Sequence, residues 1–204
     1  DKSQISTLAG SVSGSGAAAV NGAAAVGTIT NTTLAKVRGG SLTTNQTMGL
    51  AALNSSTIET ASVGGAGAGS AAVEGSATTA VIKNRTAAEI DSASDTSKTV
   101  LSGAKLIRVT AQDRSKIYSL AGNAAFAGDA AVGGAATVNT VLNTTEARVS
   151  DSTLRQVDSL ELQALNETVI KSAAAAGEGA VYVGVGASSN NSIIKNSTAA
   201  EVVN

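Results

Sequence analysis

The feature that most constrains this chain is an internal repeat. Four segments begin with Ile and reach an Asn-x-Thr 26 residues later: Ile5 to Asn31, Ile58 to Asn84, Ile117 to Asn143 and Ile170 to Asn196. The closing signatures are Ile29-Thr-Asn-Thr-Thr-Leu-Ala-Lys-Val37, Ile82-Lys-Asn-Arg-Thr-Ala-Ala-Glu-Ile90, Val141-Leu-Asn-Thr-Thr-Glu-Ala-Arg-Val149 and Ile194-Lys-Asn-Ser-Thr-Ala-Ala-Glu-Val202. The four Asn are 53, 59 and 53 residues apart, so the middle interval carries six extra residues. Such units cannot bury an apolar face alone and do so by stacking on their neighbours. The chain therefore reads as one tract, with repeats at about 5–57, 58–116, 117–169 and 170–204.

Periodicity makes the repeating unit all-β. In each signature the Ala and the last β-branched residue share one face while the charged residue between them points to the other: Ala35 and Val37 around Lys36, Ala88 and Ile90 around Glu89, Ala147 and Val149 around Arg148. Met48-Gly-Leu-Ala-Ala-Leu53 and Leu160-Glu-Leu-Gln-Ala-Leu165 alternate in the same way. Glycine runs such as Gly64-Gly-Ala-Gly-Ala-Gly69 break a helix and are expected at turns or narrow corners. Val20, Val73, Val132 and Val185 fall at one equivalent position, with Gly22, Gly75 and Gly134 two residues on, and read as strand followed by tight turn. Asn-Gly occurs only at Asn21-Gly22 and does not recur in the other copies, so without a repeated hairpin signal the long-period strands fit a parallel β-helix, a β-solenoid with about 53-residue repeats. A second Asn-x-Ser/Thr at Asn54 and Asn166 divides the repeat into 23 and 30 residues and suggests two three-strand coils per repeat. Three coils per repeat stays open. Two would give about eight coils and a rod of roughly 35 to 40 Å.

Only 1% of residues are aromatic, there is no Trp, and Phe126 is the sole Phe, so the core is closed with Ala, Val, Ile and Leu and must be thin. The absence of Pro and a charged fraction of 14% argue against disorder. Residues 5 to 35 carry no charge but are crowded with Ser, Thr, Asn and Gly, so no membrane insertion is expected. The chain opens Asp1-Lys2-Ser3-Gln4, with no basic and apolar leader, which reads as an internal segment of something longer.

The residue types exclude much chemistry. With no His and no Cys, the commonest general base, thiol nucleophiles and most transition-metal ligands are missing, and neither cofactor nor metal nor catalytic residue is expected. Ser102-Gly-Ala-Lys105 matches a Ser-x-x-Lys tetrad whose companion motifs are absent. No glycine motif for a nucleotide and no calcium nonapeptide occurs. A net charge of −1 argues against nucleic acid. The eight Asn-x-Ser/Thr sites, at Asn31, Asn45, Asn54, Asn84, Asn143, Asn166, Asn190 and Asn196, are read as coil corners, where Asn tolerates the left-handed conformation.

Residues 119 to 149, Ser-Leu-Ala-Gly-Asn-Ala-Ala-Phe-Ala-Gly-Asp-Ala-Ala-Val-Gly-Gly-Ala-Ala-Thr-Val-Asn-Thr-Val-Leu-Asn-Thr-Thr-Glu-Ala-Arg-Val, resemble the repeats of leukotoxin-type filamentous adhesins, large exoproteins and autotransporter passengers of Gram-negative anaerobes. The signature recurs in all four copies, so the resemblance covers essentially the whole chain. It implies a right-handed parallel β-helix, an extracellular or cell-surface address, and attachment or host-cell damage. It supplies no catalytic residue.

The stretch from Asp91 to Lys116 departs most from the repeat and reads as a solvated mixed-charge excursion, the place where a solenoid would bind a partner. The candidate contact residues are Asp95, Lys98, Lys105, Arg108, Asp113, Arg114, Lys116 and Tyr118, with Phe126 assigned to the core. The expected partner is a receptor, protein or glycan, on a host or bacterial surface. A cytotoxin segment and a polysaccharide-degrading β-helix are the competing readings; the latter needs two close carboxylates on one face. Open terminal coils also predict end-to-end self-association.

Overall fold

The computed structural model describes residues 1–94 and 97–203. They form strands, corners and no helix. Each repeat is a single coil. In the first, β1 (Lys2–Ser15) turns at Gly16-Ala17 into β2 (Ala18–Arg38), which is followed by the short β3 (Ser41–Thr43). The pattern continues with β4 (Thr47–Ala68), β5 (Ala71–Asp91) and β6 (Val100–Ser102), then β7 (Leu106–Ala127), β8 (Ala130–Ser150) and β9 (Thr153–Arg155), and ends with β10 (Leu160–Ala180) and β11 (Val183–Val203). Strands stack into three parallel sheets: A (β1-β4-β7-β10), B (β2-β5-β8-β11) and the three-residue-wide C (β3-β6-β9).

Register confirms the sequence repeat and corrects the coil count. Ile5, Ile58, Ile117 and Ile170 form one column, and Asn31, Asn84, Asn143 and Asn196 another. Neighbouring coils are thus one whole repeat apart, not a half or a third. A 21-residue strand extends about 70 Å, whereas four coils stack to only about 15 Å between the first and last. The molecule is therefore a broad, flattened wall rather than a rod of eight small coils. The split into 23 and 30 residues reflects a crossing of the core: Asn31 Nδ2 donates to Asn54 Oδ1 at 3.3 Å, and Asn196 Nδ2 to Asn166 Oδ1 at 2.9 Å.

Sheets A and B face each other, and the alternation of side chains is kept along their whole length. The interior is striped. Ala19, Ala66, Ala72, Ala125 and Ala131 fill the narrow end beside the turn between the long strands. Ile29, Ile58, Ile82, Ile117 and Val141 form the middle stripe. Ile90, Leu101, Ile107, Val109 and Val149 fill the wide end beside sheet C. A hydrogen-bonded polar stripe lies between the last two. Asn84 and Asn143 stack with the backbone N–H of Asn84 donating to Asn143 Oδ1 at 3.3 Å, and the backbone N–H of Asn143 donating to Asn196 Oδ1 at 3.3 Å. This is an amide ladder of the kind that stabilises stacked identical strands. Seven of the eight Asn-x-Ser/Thr sites therefore lie within strands, and only Asn45 sits at a corner.

Glycine does not mark turns in the way the sequence suggests. Gly64 to Ala68 belong to β4, and Val20, Val73, Val132 and Val185 stand on the outer face as the third residue of their strands, so the turn between sheets A and B lies just before them and not after. Gly69 and Gly128 do form the turn between sheets A and B. A Cβ on either would come within 2.1 Å of the carbonyl oxygen one coil below, of Gly16 and Gly69 respectively. The other corners use left-handed residues: Gly39, Gly40 and Asp151 after sheet B, Gly103 and Gln156 after sheet C. The six-residue insertion occupies the corner between β5 and β6. It is not a free excursion, because Thr99 is fully buried and its Oγ1 accepts from the backbone N–H of Gly39 at 2.8 Å.

Candidate functional site

Strand parity sorts the sequence-derived candidates. Arg108, Arg114, Lys116 and Tyr118 are even-numbered residues of β7 and share the outer face of sheet A. Asp113 is odd and points inward; it is 0% exposed and is not a contact residue. Its carboxylate accepts from Asn54 Nδ2 at 2.6 Å, Thr86 Oγ1 at 3.2 Å, Ser115 Oγ at 2.8 Å and Asn143 Nδ2 at 2.8 Å, which makes it the hub of the Asn stripe. Lys98 is exposed on the insertion corner and Lys105 on the corner leading into β7, away from the outer row. Asp95 lies outside the described residues. Ser102 of the Ser-x-x-Lys tetrad shares a 2.8 Å hydrogen bond with Thr43 on sheet C.

Along the outer row, charge is largely neutralised by the next coil. Arg108 meets Glu161 at 2.9 Å, and Arg114 meets Glu167 at 2.7 Å. Lys116 makes no ion pair among the described residues. Beyond it the strand turns apolar. One column holds Ser6, Glu59, Tyr118 and Lys171, and the next holds Leu8, Ala61, Leu120 and Ala173. These two columns line an open groove of about 570 Å³ that crosses all four strands of sheet A. Ser6 Oγ donates to Glu59 Oε2 at 3.1 Å, and the Lys171 ammonium stands 6.0 Å from the Tyr118 ring centre. The Lys171 distance is the outer limit for a cation over an aromatic face.

The apolar surface continues beyond the groove. Leu8 is 80% exposed, Val12 89% and Phe126 61%, with Val63 and Leu120 about half exposed. Phe126 is therefore not core. Its neighbours Ala125 and Ala127 take the inward positions at the narrow end, which has room for Ala only, and its ring lies over Gly179 of the next coil. Exposed apolar area of this continuity marks interaction surfaces.

Sequence reasoning missed the opposite face. There a groove of about 470 Å³ is bordered by Lys83, Arg85 and Lys195. The signal was legible in Ile82-Lys-Asn-Arg and Ile194-Lys-Asn-Ser, where residues flanking an inward Asn must point outward. Acids temper it: Arg85 bridges Glu89 at 2.7 Å and Glu146 at 3.5 Å, and Lys36 meets Glu89 at 3.0 Å and Asp91 at 3.3 Å. Burial pushes the Glu89 carboxyl up, but Arg85 and Lys36 outweigh it and leave it below the ordinary carboxylate range. Asp91 is shifted the same way, the Ser150 hydroxyl and Lys36 outweighing its burial. Glu89 and Glu146 are thus clamped by a guanidinium, unlike the acid and base of a glycosidase.

The carboxyl shifted upward is Glu74, on the inner face of β5 and 2% exposed. Burial raises it, and the neighbouring Asn21 amide eases part of that cost while donating its own hydrogen bond to Gly65 O at 3.1 Å. Neither Glu74 oxygen has a hydrogen-bond partner among the described residues; the carboxyl fills the recess left by Gly64 across the core. Shut inside the wall, it has no access to a substrate. No group of three or more His, Cys, Asp or Glu placed to hold a metal occurs among the described residues. No protein-family model, curated protein or solved structure matches this chain.

Proposed function

We propose that this tract is a structural and adhesive segment of a secreted bacterial surface protein, of the filamentous-adhesin kind its repeats resemble, and that it acts by contact rather than catalysis. The observation that carries this reading is the exposed apolar groove rimmed by Tyr118 and Lys171 on the outer face of a wall built from in-register strands. Long parallel ladders hold their outer columns rigidly, so a partner meets a preformed surface and loses little binding energy to ordering it. The aliphatic floor of Leu8, Ala61, Leu120 and Ala173 suits the apolar patch of a receptor protein on another cell better than the hydroxyls of a glycan.

The test is attachment of labelled protein to host cells and to other bacteria. A Tyr118→Ser/Leu120→Ser variant, with unchanged circular dichroism, loses binding, while deletion of residues 93–98 at the insertion corner leaves it intact. Binding that survives the groove variant and disappears with the corner deletion would overturn the assignment of the face. Hydrolysis of a polysaccharide or release of dye from liposomes by the isolated tract would replace the adhesive reading by one of its competitors.

A further inference from the structure

Two carboxylates are shut inside the middle coils of this wall, and their surroundings differ in kind. Asp113 accepts from four side-chain donors. Glu74 is 2% exposed, and neither of its oxygens has a hydrogen-bond partner among the described residues. An ionised carboxylate in an apolar interior is strongly unfavourable unless an opposite charge or several donors compensate it. Glu74 belongs to the second coil and is covered on both sides, by β2 and by β8. Its surroundings are therefore set by coils that are all present, whatever precedes or follows them.

Those surroundings are rich in oxygen. The Glu74 carboxyl reaches across the core and fills the recess left by Gly64 on β4. Asn123 stands in the same column as Gly64, one coil on. Its Nδ2 donates to Glu74 O at 2.9 Å and to Gly134 O at 3.1 Å, and these two carbonyls fix which end of the amide is nitrogen. Asn123 Oδ1 is left buried without a partner, and so is Ser76 Oγ, two residues along β5 on the same inner face as Glu74. Asn21 Nδ2, in the coil before, is bonded to Gly65 O at 3.1 Å. Every Lys and Arg of the long strands stands on the outer face, so no side-chain cation reaches the recess. From β2, β4, β7, β8 and β10, the only titratable side chain on the inner face here is Glu178. Its carboxyl lies against Gly133 and Gly186 on sheet B, across the core from the Gly64 recess on sheet A.

We propose that the Gly64 recess binds a monovalent alkali cation, with the Glu74 carboxylate as its charged ligand and Asn123 Oδ1 and Ser76 Oγ as neutral ones. A donor set made only of oxygen suits a hard cation. One carboxylate balances one positive charge, so a monovalent ion leaves the interior neutral, whereas a divalent ion would bury an uncompensated charge. The ion takes the place of the proton that serves the carboxyl in acid, and it ties β5 to β7 across the core. Because the recess is closed, the ion enters as the strands assemble.

The test is the urea midpoint of the chain refolded at pH 8 in sodium, potassium or choline chloride at equal ionic strength, which separates a bound ion from surface screening. The midpoint rises with the logarithm of sodium or potassium concentration, the steeper slope identifying the preferred ion, and stays flat in choline. Near pH 4, where the carboxyl carries a proton, the gap between the salts shrinks several-fold. Glu74→Gln removes the gap at pH 8, and Ser76→Ala reduces it. Crystals of the unaltered protein grown with thallium(I) in place of sodium show an anomalous peak beside the Glu74 carboxylate, a result that does not depend on any variant folding. Equal midpoints in all three salts at pH 8, a gap that survives Glu74→Gln, stabilisation by calcium alone, or no thallium peak at Glu74 would each overturn the site.

Discussion

Alanine substitutions through the glycine run of β4 probe the register of the wall more sharply than any large deletion. Gly64 and Gly65 are adjacent and chemically identical, yet they face opposite sides. A Cβ at Gly65 meets nothing within 4 Å, and the same holds at Gly67. Gly65→Ala and Gly67→Ala therefore remove backbone entropy from the unfolded chain at no steric cost, and each is expected to stabilise by about 0.5 to 1 kcal/mol. A Cβ at Gly64 would stand 1.7 Å from Glu74 Oε1 and 2.6 Å from Cδ. The carboxyl is 2% exposed and must leave its recess, a cost of about 1 to 3 kcal/mol typical of overpacking. At Gly69 the obstacle is the Gly16 carbonyl at 2.1 Å, which has no rotamer to change, so Gly69→Ala sits at the upper end of the same range, about 3 kcal/mol. Urea midpoints at constant m-value report the differences. Glu74→Ala should rescue Gly64→Ala and leave Gly69→Ala unrelieved, because only the first clash ends in a side chain. Equal destabilisation by Gly64→Ala and Gly65→Ala would refute the reasoning, since a one-residue slip exchanges the two faces.

Other perturbations test the polar interior and the surface. Asn143→Leu deprives Asp113 and Ser115 of a donor each and Asn84 N–H of its acceptor; it should destabilise by about 2 to 4 kcal/mol in urea, although hydrophobicity alone predicts the opposite sign. Glu74 has a folded pKa above its ordinary 4.5, so the stability it allows is fully present below that value and is lost as pH rises through the folded pKa. Glu74→Gln should flatten that decline in a series of denaturation curves across pH. Glu89 and Asp91 act in the other direction: their contribution is present above the ordinary carboxylate pKa and is lost as pH falls through the depressed values, and Lys36→Met should reduce this acid-side slope without abolishing it, because Arg85 still holds Glu89 down and the Ser150 hydroxyl Asp91. Arg114→Ala breaks an ion pair whose partners are both about half exposed, so its effect on the urea midpoint should stay below about 1 kcal/mol and vanish at high salt.

Much of the wall was legible in the chain. The spacing of Asn31, Asn84, Asn143 and Asn196 determined which residues stack, and alternation determined that Lys36, Glu89 and Arg148 face outward from Ala35, Ala88 and Ala147. The groove was partly legible: Tyr118 was found, but its companions Leu8, Leu120 and Lys171 lie in other repeats, and only stacking brings them together. Asp113 was misassigned because a charge run was read as loop, whereas parity within β7 turns that one carboxylate inward to four donors.

The number of coils per repeat was decided by tertiary structure alone. Nothing local distinguishes one strand of 21 residues from two shorter ones, since alternation runs unbroken through both. The choice falls to the opposing sheet: Asn54 must meet Asn31, and Gly64 must leave room for Glu74, which holds only if β4 continues past both before it turns. The same opposing wall leaves the narrow end room for Ala125 and Ala127 alone and sends Phe126 out to the surface. Sequence thus determined the columns, which depend on period and parity, and the third dimension decided what stands across the core from each.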